Sequence, residues 1–82
     1  MPPPRRRPAD IIADGIGRYL GPHMARNAVK TFAVKALGRG PETIVESDAA
    51  ALLQAMRPML RTLLGATQAE LVVQQLTKEI ES

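Results

Sequence analysis

Five cations stand between Gly17 and Gly40 with no acid among them: Arg18, Arg26, Lys30, Lys35 and Arg39. Arginine and lysine at helical spacing suit the recognition of phosphates and carboxylates. Arg26 and Lys30, four residues apart beside Asn27 and Thr31, can meet phosphates while Asn27 reaches a base edge. A solvated helix face has the same pattern. A second cationic group, Arg5, Arg6 and Arg7, lies in the opening MPPPRRRP. Such an arm can enter a DNA minor groove, lie along an acidic partner, or have no defined partner at all. The candidate contact residues are Arg5, Arg6, Arg7, Arg26, Asn27, Lys30 and Lys35.

Catalysis is poorly supplied. His23 is the single histidine and there is no cysteine. Thiolate metal sites, thiol nucleophiles and disulfides are excluded, and no second imidazole is present for a metal site. At a helix start His23 can bind an anion, although it reads more simply as a surface histidine near a turn. Asp10 and Asp14 present two carboxylates at i and i+4, and early in a helix they complement its dipole. The stretch GRGPET has glycines but lacks the lysine of a phosphate loop. The sequence therefore predicts no enzyme, no metal, no cofactor and no small-molecule substrate.

The elements that must position these residues are helical. MPPPRRRP has no apolar periodicity and reads as a disordered or polyproline arm over residues 1–7. A first helix starts near Pro8, with Ile11, Ile12, Ile16, Tyr19 and Leu20 on one stripe and Gly15 where another helix approaches closely. Gly21-Pro22 breaks it and opens a second helix over residues 22–37. There His23, Arg26, Asn27, Lys30, Thr31 and Lys35 share a polar half, and Met24, Ala25, Ala28, Val29, Phe32, Ala33 and Ala36 the apolar half. Gly38 or Gly40 stops it. PETIVES makes a turn or short helical piece, and Ser47 caps a third helix from Asp48. Its stripe runs from Ala49 through Leu52, Leu53, Met56, Met59, Leu60, Leu63 and Leu64, kinked at Pro58. Thr67 and Glu70 form a capping box for a fourth helix that buries Ala69, Val72, Val73, Leu76 and Ile80. No strand alternation and no internal repeat is visible.

An 82-residue chain is one small domain, and its aromatics are only Tyr19 and Phe32, so the core is thin. The net charge of +3 resides in the arm, since the acids and bases after Arg7 are equal in number. Residues 15–41 are basic, whereas residues 42–82 carry Arg57, Arg61 and Lys78 against six acids. That polarity allows the basic segment of one copy to face the acidic half of another. No apolar run is long enough for a membrane span, and Asp10 and Asp14 interrupt any signal-peptide core, which predicts a cytoplasmic protein.

At YLGPHMARNAVK the chain resembles a small helical domain found at the C-terminal ends of bacterial signalling proteins, including serine/threonine kinases. The similar residues are Tyr19, Leu20, Gly21, Pro22, Ala25, Val29 and Lys30, with LLQAMRPMLRTLLG in the place of the later helices. The resemblance spans residues 9–76 and implies a regulatory or assembly module without an active site. The expected fold is all-α: a compact bundle of about four helices over residues 8–82, carrying a basic arm. The expected function is a non-enzymatic interaction module that binds itself or a signalling protein. The alternative is a small DNA-binding or nucleoid-associated protein.

Overall fold

The computed structural model describes residues 7–81, so Arg5, Arg6 and most of the expected arm lie outside the described residues. Four helices follow one another: α1 (Pro8–Leu20), α2 (Pro22–Leu37), α3 (Glu46–Leu64) and α4 (Ala66–Glu81), with a 3-10 turn at Pro41–Thr43. The helices pair as two hairpins, α1 with α2 and α3 with α4. These close on each other chiefly through α2 against α3 and α1 against α4. Ile12 and Ile16 of α1 and Leu52, Leu53, Met56 and Leu60 of α3 are the largest fully buried side chains, and no described polar side chain is buried.

Each hairpin turns on one residue. Gly21 has φ 87° and ψ 153°, and Gly65 has φ 86° and ψ 157°, a backbone region open essentially to glycine. The Gly21 N–H donates to the Gly17 carbonyl and the Gly65 N–H to that of Arg61, both at 2.9 Å. The two glycine carbonyls then accept from Ala25 and Ala69, both at 3.0 Å. One glycine thus finishes one helix and begins the next.

With Gly21 laid on Gly65 the hairpins match at four buried positions around the turn. Ile12 corresponds to Met56, Ile16 to Leu60, Ala25 to Ala69 and Val29 to Val73, and all eight are buried. The structure therefore contains a twofold helix–glycine–helix pattern where the sequence predicts no repeat. Few of the paired residues are identical, because the constraint acts on burial and on the turn.

Other differences from expectation have local causes. Tyr19 is exposed, at 46%, because Ala9 and Ala13 join Ile12 and Ile16 in the core and shift the buried stripe of α1 away from it. Met24 is also exposed, at 52%, since about 100° per residue places it on the polar side of α2. Ala36, in the last turn of α2, and Leu63, near the end of α3, are exposed as well.

Helix α3 starts earlier than Ser47 predicts, with Val45 as its N-cap residue. Asp48 Oδ2 accepts the Val45 N–H at 3.2 Å, satisfying a donor that the helix itself leaves open. Valine offers no side-chain acceptor, so only this half of a capping box forms. The expected Thr67–Glu70 box is replaced by Gly65 as the junction, and Glu70 turns to arginines of α3. Helix α3 continues through Pro58. Pro58 and Gln54 are both exposed, so the carbonyl that proline deprives of a donor can be served by water.

Candidate functional site

Arg26, Asn27 and Lys30 share one side of α2 and line a shallow groove with Ala9, Asp10 and Ala13 of α1 and Pro41 of the 3-10 turn. The groove follows from small side chains on α1. In the matching place of the second hairpin, Leu53 and Arg57 stand where Ala9 and Ala13 stand in the first. There Arg57 Nε lies 3.4 Å from Glu70 Oε1, without the alignment of a hydrogen bond, and Arg61 Nη2 donates to the same oxygen at 3.2 Å. Glu70 is the counterpart of Arg26. The second hairpin spans this position with a partly exposed ion pair between α3 and α4, and the first leaves its cation beside an open groove.

The expected contact residues divide accordingly. Arg26, Asn27 and Lys30 come together. Arg7, exposed at the start of α1, precedes the helical turn that supplies Ala9 and Asp10 to the groove. Lys35 does not join them: at about 100° per residue it falls opposite Arg26, and it lies outside the groove lining. His23 is exposed in the first turn of α2. Asp10 lies in the first turn of α1 and Asp14 one turn later, and both are exposed.

The charge pattern is partly consumed within the chain. Arg39 Nη2 lies 2.6 Å from Asp48 Oδ2. The Val45 N–H and then the Arg39 guanidinium hold the Asp48 carboxyl below its ordinary pKa. Glu70 is held by Arg57 and Arg61. These pairs leave less acidic surface for a charge-driven contact between copies than the sequence implies. Arg18, Arg26, Lys30 and Lys35 make no ion pair with any described residue.

A second surface was not visible in the sequence. Tyr19 and the exposed Leu71, at 55%, line one groove with Gln68, Gln74, Gln75 and Lys78. An adjoining narrow cleft is lined by Gly15, Arg18, Tyr19 and residues of α4. Leu71 lies off the buried stripe of α4, and that off-stripe leucine beside glutamines was the available signal.

Among the described residues, no three His, Cys, Asp or Glu side chains cluster as a metal site, and no helix is long and apolar enough to cross a membrane. No family model, curated protein or solved structure matches the chain.

Proposed function

We propose that this protein is a non-enzymatic helical interaction and assembly module, self-associating and regulatory in the cytoplasm of a bacterial cell. The observation that supports it best is the sorting of cations. Arg39, Arg57 and Arg61 are paired within the chain, whereas Arg26 and Lys30 line an open groove without an ion-pair partner among the described residues. A face of this kind suits the acidic surface of a partner protein. The resemblance of YLGPHMARNAVK to a domain of bacterial signalling proteins supports the regulatory role. The test of assembly is the mass of the full chain by light scattering across concentration. A dimer or larger species is expected, and a monomer throughout would overturn the self-association.

A DNA-binding reading is favoured by one specific observation: the groove holding Arg26 and Lys30 borders the first turn of α1, which directly follows Arg7. On this reading Arg5, Arg6, Arg7, Arg26 and Lys30 contact phosphates. The affinity for random duplex DNA, read from the anisotropy of a labelled duplex, would then fall steeply with salt, by about 0.9 in log–log slope per phosphate contacted. Absence of binding at physiological salt would remove it.

A further inference from the structure

We infer that the α1–α2 groove binds an acidic peptide segment of a partner protein, taking a carboxylate at Arg26 and Lys30 and an apolar side chain over Ala9, Ala13 and Val29. This rests on the reading of the chain as an interaction module and names what the groove takes. The second hairpin supplies the pattern. With Gly21 laid on Gly65, Arg26 corresponds to Glu70, Ala13 to Arg57 and Gly17 to Arg61. In the second hairpin both arginines of α3 reach the one carboxylate of α4, Arg57 Nε at 3.4 Å and Arg61 Nη2 at 3.2 Å. In the first hairpin the charge on α2 is reversed, and the two facing positions of α1 carry alanine and glycine, which cannot answer it. Arg26 and Lys30 pair with no described residue, and what α3 supplies within the second hairpin a partner can supply here.

The chemistry of the occupant follows from the lining. A guanidinium and an ammonium one helical turn apart suit a carboxylate, which a guanidinium holds through two parallel hydrogen bonds. The base of the groove asks for more than charge. Ala9, Ala13 and Val29 are 5%, 8% and 2% exposed, and together with Pro41 they make that base apolar. Ala9 stands where the second hairpin has Leu53, so a leucine-sized side chain of the partner restores the volume that α1 lacks. Asn27, also in the lining, can donate to and accept from a peptide backbone. A nucleic acid fits this lining less well. Asp10 lines the same groove from α1, and a backbone charged at every nucleotide would set a phosphate against it. A peptide can place its acid at Arg26 and a backbone N–H at Asp10.

Display of a random short-peptide library against the immobilised full chain tests this, followed by fluorescence anisotropy of the selected peptides. The native chain is compared with Arg26→Ala/Lys30→Ala, Gly17→Glu, Gly17→Gln and Lys35→Ala. Arg26, Lys30 and Lys35 are exposed, a Cβ on Gly17 meets its nearest atoms at 3.7 Å, and far-UV circular dichroism checks that each variant folds. The selected peptides should carry Asp or Glu within one helical turn of Leu, Ile, Val or Met. Their dissociation constant should rise by about tenfold or more in Arg26→Ala/Lys30→Ala. Gly17→Glu should weaken binding as much, because it sets a carboxylate beside Arg26 in the place of Arg61 and so closes the site from within the chain. Gly17→Gln, of the same shape without the charge, and Lys35→Ala should keep the native affinity. Selected peptides without acids, or peptides that bind Arg26→Ala/Lys30→Ala or Gly17→Glu as tightly as the native chain, overturn the groove while the interaction module stands. Selection of no peptide, or binding of labelled duplex DNA through Arg26 and Lys30 in its place, overturns the peptide site outright. Self-association is judged separately, by the mass of the chain.

Discussion

Gly15 and Gly17 lie two positions apart on α1, and alanine at the two sites should have opposite effects. A Cβ on Gly15 would fall 2.3 Å from Leu76 Cδ2 and 3.2 Å from Leu76 Cγ. Leu76 is only 2% exposed, so it cannot swing into water to make room. A Cβ on Gly17 would meet the Ala25 Cβ and the Pro22 Cα at 3.7 Å, which is ordinary contact. Alanine gains about 0.5–1 kcal/mol over glycine inside a helix, and this term is common to both variants. Overpacking at Gly15 costs about 1–3 kcal/mol. The expected result is a net loss of up to about 2.5 kcal/mol for Gly15→Ala and a gain of about 0.5–1 kcal/mol for Gly17→Ala. Urea unfolding followed by far-UV circular dichroism measures both, read as midpoint shifts at constant slope. Adding Leu76→Ala to Gly15→Ala should lose less than the two single changes combined, because the smaller side chain removes the clash. Equal stability of the two glycine variants, or a more stable Gly15→Ala, would refute the close α1–α4 approach that also shapes the Tyr19 groove.

Further outcomes follow from individual contacts. Gly21→Ala and Gly65→Ala should each cost about 1–3 kcal/mol through backbone conformation alone, since no atom lies within 4 Å of either added Cβ; urea midpoints check this. Asp48 contributes through a carboxyl whose folded pKa lies below its ordinary value of 3.8. That stability is fully present above the ordinary value and is lost as pH falls through the lowered one. Native protein should therefore lose stability below that value more steeply than Asp48→Asn, as thermal unfolding across acid pH would show. Met56→Ala, at a fully buried site, should cost about 2–5 kcal/mol by cavity formation, whereas Leu71→Ala on the surface should change monomer stability by no more than about 0.5 kcal/mol.

Much of the bundle was legible because helical periodicity and the Gly21-Pro22 break act within a few residues of one another. Ile12, Ile16, Val29, Leu52, Met56 and Leu76 all fall where their stripes predict. Tyr19 did not, because the edges of a buried stripe depend on where neighbouring helices lie, and Met24 was assigned to the apolar half although at about 100° per residue it falls between Thr31 and Lys35. The caps were misplaced for a related reason: Asp48 and Glu70 each had two possible uses, and tertiary arginines together with the glycine junction decided between them. At the candidate site, Arg26, Asn27 and Lys30 were found from spacing. The groove beside them was not, because it depends on Ala9 and Ala13 being small on a facing helix. Lys35 was placed on the same half of α2 as Arg26, although nine residues at about 100° each set it on the opposite side.

Whether the protein self-associates is decided by the mass of the full chain in solution, measured by light scattering from dilute to concentrated protein at low and high salt. A dimer or larger species is the expected result. A monomer at every concentration would contradict the claim that this protein works by assembling with itself.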